Sequence, residues 1–299
     1  MKWCQTKILT IAVRAAVCLA AAGCVAEDHE LTKPGTEAAG KPVAPGVMEV
    51  GHISHPRITE SSGLVASRQF PGVLWTHNDG GGGRKQVLYA IARDGRSLSE
   101  FLVGDGVLIH DWEDIAIDDQ KHLFIGDIGN NGAKRSELAV HEVAEPDPDS
   151  GPLILRVERT WRLHFAAEPF DCESLFVWNG YGYVVSKVFN NAPAQIFRFP
   201  LSDRKKDLVL ELVVTTRIDS PVTGADISPD GRLLGLVAKS GAFVFRIKGD
   251  VARAGKVKPY QTRFRHEHIE ACCFVPEGLL ATAESREIYL FTDPAFHWK

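Results

Sequence analysis

The sequence predicts an all-β domain built as a five-bladed β-propeller. Three observations carry this: a motif recurs about every fifty residues, each copy is followed by short strand-forming runs bounded by turns, and helical periodicity is scarce.

The motif stands at Glu60-Ser61-Ser62-Gly63-Leu64, Asp111-Trp112-Glu113-Asp114-Ile115, Asp171-Cys172-Glu173-Ser174-Leu175, Thr223-Gly224-Ala225-Asp226-Ile227 and Ile269-Glu270-Ala271-Cys272. Aligned on the residue two before Leu, Ile or Cys, its anchors are Ser62, Glu113, Glu173, Ala225 and Glu270, separated by 51, 60, 52 and 45 residues. After each anchor come a turn, such as Ser228-Pro229-Asp230-Gly231 or Trp178-Asn179-Gly180, and a second strand at 73–75, 123–125, 183–185, 234–237 or 279–282. A third strand is expected at 87–91, 138–143, 196–199, 243–247 and 288–291, and a fourth at 98–103, 159–165, 208–215 and 259–264. The fifth unit runs out of chain after three strands. The unassigned run 47–54 supplies its fourth and closes the ring, which removes exposed sheet edges. A sixth blade within residues 146–169 is the competing count.

The segment before the domain reads as an export signal. Lys2, Lys7 and Arg14 precede a short apolar run, residues 15–23, that is too brief for a permanent span of about 20 residues. It ends in Ala21-Ala22-Gly23-Cys24, which resembles a bacterial lipobox; that resemblance implies a signal peptide over 1–23, acylation of Cys24 and a lipid-anchored protein. The absence of Asp after Cys24 leans toward the outer membrane, facing the periplasm. Residues 24–46 are rich in Pro, Gly, Ala and charge and read as a tether, leaving 47–299 as the folded domain. A net charge of −4 gives no electrostatic support to nucleic-acid binding, so the membrane is met through the anchor only. Cys172, Cys272 and Cys273 are an odd set with two adjacent members, expected as small buried thiols rather than a disulfide framework.

In a propeller the first strand of each blade lines the channel, so the anchors should converge at one mouth. Adding 14 to each gives Asp127, Lys187, Lys239 and Glu284, with Asn78 or Asp79 as the equivalent in blade 1. Three carboxylates within about 10 Å of one another need compensation. A hard cation, calcium foremost, held by Ser62, Glu113, Glu173 and Glu270 is one solution. A ring self-neutralised by Lys187 and Lys239 is another, and His77, His110, His266 and His268 keep zinc or manganese in view. Two glycine-rich loops near this rim carry cations, Asn78 to Lys85 with Asp79, Arg84 and Lys85, and Gly126 to Arg135 with Lys134 and Arg135. They suit a small anionic ligand, or they simply make turns.

The Ser62, Glu113, Glu173 and Glu270 ring on a five-bladed propeller is similar to that of the calcium-activated nucleotidases (apyrases), and the motifs Asp111 to Ala116 and Gly126 to Asn131 look like those of phytase-like bacterial propellers. The resemblance implies a central calcium on these four residues. Ala225 departs from the pattern where a further oxygen ligand would stand. The expected activity is a metal-dependent phosphoester hydrolase, with Asp127 or Glu284 as general base and Lys187 and the loop cations stabilising charge. The alternative is a non-catalytic binding or scaffold propeller with a structural ion or a salt-bridged channel.

Overall fold

The computed structural model describes residues 40–80, 86–104, 110–202, 207–262, 264–266 and 268–296. Cys24, Arg84 and Lys85, and the expected signal peptide, lie outside the described residues.

Five antiparallel sheets follow one another along the chain. Their inner strands are Ser61–Ala66, Trp112–Ile117, Cys172–Trp178, Val222–Ile227 and Ile269–Val275, which define blades 1 to 5. Each inner strand packs against the inner strands on either side, and the first also meets the last, so the ring is closed. The second strands are Val73–Asn78, His122–Asp127, Tyr181–Ser186, Leu233–Ala238 and Gly278–Ala283. The third are Val87–Ala92, Glu137–Ala144, Gln195–Pro200, Gly241–Arg246 and Glu287–Phe291. Ser97–Val103, Arg159–His164, Glu211–Thr215 and Tyr260–Gln261 complete blades 1 to 4, and Val47–His52 pairs with Glu287–Phe291 to complete blade 5.

The stretch 146–169 holds no sixth blade. Ile154–Leu155 adds a parallel strand to the outer edge of blade 1, and Arg159–His164 is the fourth strand of blade 2. The fourth strand predicted over 208–215 is divided at the buried Leu210, because Asp207–Val209 pairs in parallel with blade 2 while Glu211–Thr215 continues blade 3. The folded domain also starts earlier than residue 47. Lys41–Ala44 turns at Gly46 (φ 71°) and pairs with Val47–His52, so the tether assignment to 46 is too long by this strand. Pro42 is tolerated there because the strand is an edge and needs no outward donor.

The core lies between blades, where large side chains from successive sheets interdigitate. Trp161 of blade 2 sits 5.9 Å from Phe124 and 6.2 Å from Phe199 of blade 3, ring centre to ring centre. Replacing such a buried Trp by Ala costs about 3–5 kcal/mol. Turn chemistry sets the hairpins: Asn179 (φ 50°) and Gly180 (φ 78°) both take the left-handed conformation that a tight two-residue hairpin turn demands. Cys172, Cys272 and Cys273 are free and fully buried, and burial pushes their thiols well up.

Candidate functional site

One backbone device recurs at the same mouth in every blade. Pairing between the inner and second strands skips one residue, between Ser61 and Gly63, Trp112 and Asp114, Cys172 and Ser174, Val222 and Gly224, and Ile269 and Ala271. The skipped residue is the extra member of a β-bulge, which re-aims its side chain out of the pleat. These five residues are Ser62, Glu113, Glu173, Thr223 and Glu270. The structural ring therefore has Thr223 in blade 4, and the anchor read there as Ala225 is two residues out of phase. Ala225 is an ordinary buried strand residue, and Thr223 donates its hydroxyl to the Ile269 carbonyl at 2.8 Å.

The second ring is fixed by the backbone bonds that close each hairpin. Asp79 N–H donates to Glu60 O, Lys187 to Asp171 O, Lys239 to Pro221 O and Glu284 to His268 O. In blade 2 the residue after the last strand pair is Ile128, fully buried in the apolar core. Asp127 is the residue before it and does not line the mouth. Its carboxylate accepts the backbone N–H groups of His110 and Asp111 at 3.0 and 2.9 Å and pairs with Arg135 at 2.9 Å. Arg135 also donates to Gly129 O at 2.6 Å, while Lys134 is exposed and is not part of the wall. Asn78 is likewise spent on the backbone, accepting from Thr59 and Glu60 N–H and donating to Arg57 O.

The mouth itself is a cavity of about 170 Å³ lined by Glu60, Ser62, Asp79, Glu113, Asn131, Glu173, Lys187, Glu270 and Glu284. On its blade 1 and 2 side, one oxygen each from Asp79, Asp111 and Glu113 lie within 4.8 Å of one another. The Ser62 hydroxyl donates to Glu113 Oε2 at 3.4 Å. Burial first, then Asp79 and Asp111, push the Glu113 carboxyl well above its usual range. Asp111 is pushed up to about 6, by burial and then by Asp79. A Cβ on Gly129 would fall 2.2 Å from Glu113 Oε1 and 2.3 Å from Asp111 Oδ2, so only glycine permits this approach.

The blade 3 to 5 side is built differently. Lys187 pairs with Glu173 inside the cavity, both largely shielded from water, and Glu173 Oε2 is a buried oxygen with no hydrogen-bond partner. Glu270 is pushed up to about 8, by burial and by Glu284, against the opposing pull of Lys187 and Lys239. Lys239 is exposed, and both lysines stand over the Phe189 ring, at 5.5 and 5.9 Å. His268 meets Glu284 at 2.9 Å, His110 flanks Asp127, His266 stands edge-on to His268, and His77 is buried with Nδ1 on Asn78 O. Among the described residues no histidine lines the cavity.

Asp111 is the member that the anchor pattern missed, because it lies two residues before Glu113 in the connecting loop. A signal for it is present in the repeat, since Asp111-Trp112-Glu113 and Asp171-Cys172-Glu173 share an acid two before the anchor. Asp171 uses its copy to accept the Asn130 N–H at 2.8 Å.

The fold and mouth together define an all-β, five-bladed propeller with an acidic cavity at one end of its channel. Neither a protein-family model nor a curated protein matches the sequence. Solved structures to which it is similar include a putative gluconolactonase (16% identity, TM-score 0.46, covering 78% of this chain and 74% of that one). A gluconolactonase from Xanthomonas campestris has 12% identity and TM-score 0.47, with 78% and 71% covered. Hydrazine synthase of Kuenenia stuttgartiensis has 13% identity and TM-score 0.42, with 78% and 72% covered. These are loose likenesses of overall architecture, and the chemistry of the mouth is built on this chain's own residues.

Proposed function

We propose that the mouth holds one hard divalent cation, calcium foremost, and that the protein uses it as a phosphoester hydrolase on a small anionic substrate. The observation that carries the cation is the trio Asp79, Asp111 and Glu113, whose oxygens converge within 4.8 Å beside the Ser62 hydroxyl. The donor set fits. It is oxygen only, as hard cations require, and Gly129 keeps the space against it free of side chain. A cation there would supply Lewis-acid polarisation of a phosphoryl oxygen.

The chain's own groups supply the remaining chemistry. Lys187 in the opposite wall, with the exposed Lys239 beside it over the Phe189 ring, gives positive charge where an anionic group would be received. Glu270, held protonated at neutral pH by burial and by Glu284, carries a proton at the cavity surface for a leaving oxygen. Asp127 has no such role in this reading, since its oxygens are committed to the loop backbone and Arg135. The lipobox resemblance at Cys24 supports the further reading that the domain is anchored to a bacterial membrane, toward the periplasm.

A second reading, a binding or scaffold propeller, is favoured by one observation: Lys187 already neutralises Glu173 within a cavity of only about 170 Å³. Two measurements separate them. Calcium should raise the melting temperature of wild type and not of Glu113→Gln. Hydrolysis of p-nitrophenyl phosphate should require the cation and be lost in Glu113→Gln and Glu270→Gln. A calcium response without hydrolysis selects the scaffold with a structural ion, and neither response removes the cation. Cys24→Ala should move the expressed protein from the membrane to the soluble fraction; a membrane-bound variant would remove the anchor.

A further inference from the structure

The inner strands run from the carboxylate mouth to the opposite one, so Ala66, Asp226 and Val275 lie about 10–17 Å beyond the bulges at a rise of roughly 3.3 Å per residue. At that far end lies a second cavity of about 510 Å³, lined mostly by apolar side chains of blades 1, 4 and 5, among them Leu74, Pro229 and Phe274. Three charged residues join the wall: Arg68, Arg93 and Asp226. Two of these have partners. Arg93 is paired with Glu277 at 2.8 Å, and Asp226 Oδ2 accepts the Phe274 N–H at 2.7 Å.

Arg68 differs from both. Its Nε is buried and has no hydrogen-bond partner, and among the described residues its guanidinium forms no ion pair. The charge of Arg68 acts at longer range on the carboxyl of Asp226 in the same wall, but without a hydrogen bond between them, and a buried Nε–H donor without a partner still keeps its desolvation penalty. An incoming carboxylate removes that penalty, because the planar fork accepts two carboxylate oxygens side by side. The volume falls within the roughly 300–1,000 Å³ typical of small-molecule sites.

We propose that this far mouth binds a small amphipathic anion, with its carboxylate on Arg68 and its apolar body against Leu74, Pro229 and Phe274. The site is independent of the cation site and of whether the protein is an enzyme.

Calorimetric titration of the full chain, in chelator, with octanoate and with its uncharged analogue octanamide tests this. Octanoate should bind at one site at least tenfold more tightly than octanamide, the scale of one charge-assisted hydrogen bond. Arg68→Met should bring octanoate down to the octanamide value, Arg68→Lys should keep part of the difference, and Ala66→Phe, which fills the cavity, should weaken both ligands. Equal binding of the two ligands by wild type, no binding at millimolar concentration, or octanoate binding untouched by Arg68→Met or by Ala66→Phe would each overturn it. If circular dichroism shows Arg68→Met unfolded, Arg68→Lys and Ala66→Phe decide alone.

Discussion

On the side of blades 1 and 2, Glu113 sits among Asp79, Asp111 and the Ser62 hydroxyl; across the same cavity, Glu173 meets Lys187 and Glu270 faces Glu284 and the charge of Lys239. Both halves present their residues from the same bulge, so the backbone is not what separates them. The difference lies in what the closing hairpin residue contributes: Asp79 in blade 1, but Lys187 and Lys239 in blades 3 and 4. Among the described residues one half gathers three acids, whereas the other sets lysines beside its acids. The proposed cation site is thus set apart by the company its carboxylate keeps rather than by the carboxylate itself.

Five perturbations break or sharpen that contrast. The largest effect is expected from Lys187→Met, which leaves Glu173 as an uncompensated buried charge and should cost about 3–5 kcal/mol by denaturant unfolding. On the acidic side the same kind of change should act in reverse: Glu113→Gln, in chelator, should leave stability equal or slightly raised, because burial, Asp79 and Asp111 disfavour the charged form of the carboxyl it replaces. The contrast fails if both variants fall equally.

Next comes the cation. At one hundred times its dissociation constant, calcium should stabilise wild type by about 2.7 kcal/mol, and Glu113→Gln by nothing measurable. Gly129→Ala should lower calcium affinity and cost about 1–3 kcal/mol, since the methyl would collide with Glu113 and Asp111; unchanged affinity would place the cation elsewhere.

The remaining perturbation is the pH of the chelated protein. Glu270 has a folded-state value near 8, above its ordinary one of 4.5, so the folded protein holds a proton that the unfolded chain releases. Stability from this group is therefore complete below pH 4.5 and lost as pH rises through about 8. The melting temperature should fall over that window, and Glu270→Gln should flatten the fall. A rise in wild type would show that Glu270 is ionised beside Lys187 instead.

Much of this was legible in the sequence. The repeat pointed to five blades and to a closing strand over 47–54, found as Val47–His52, because every blade repeats the same hydrophobic and turn pattern. Ser62, Glu113, Glu173 and Glu270 were found as one ring for the same reason. Thr223 was not, because the alignment followed the large apolar residue Ile227, whereas the position two after the bulge in blade 4 is held by the small Ala225. Asp127 was placed in the second ring by a constant offset of 14, yet the pairing of Trp112 with Asp127 puts Ile128 in that place. A one-residue shift turns a side chain to the other face of a strand.

What the sequence determined by itself was periodicity: strand-forming runs at a fixed spacing can bury their faces only by stacking into a closed ring, whatever the details of each turn. What only the tertiary structure decided was which polar side chains meet. Register, bulges and loop closure set those encounters over a few ångströms, and whether a carboxylate ends beside Asp79 or beside Lys187 depends on single-residue offsets that a hydrophobic pattern does not encode.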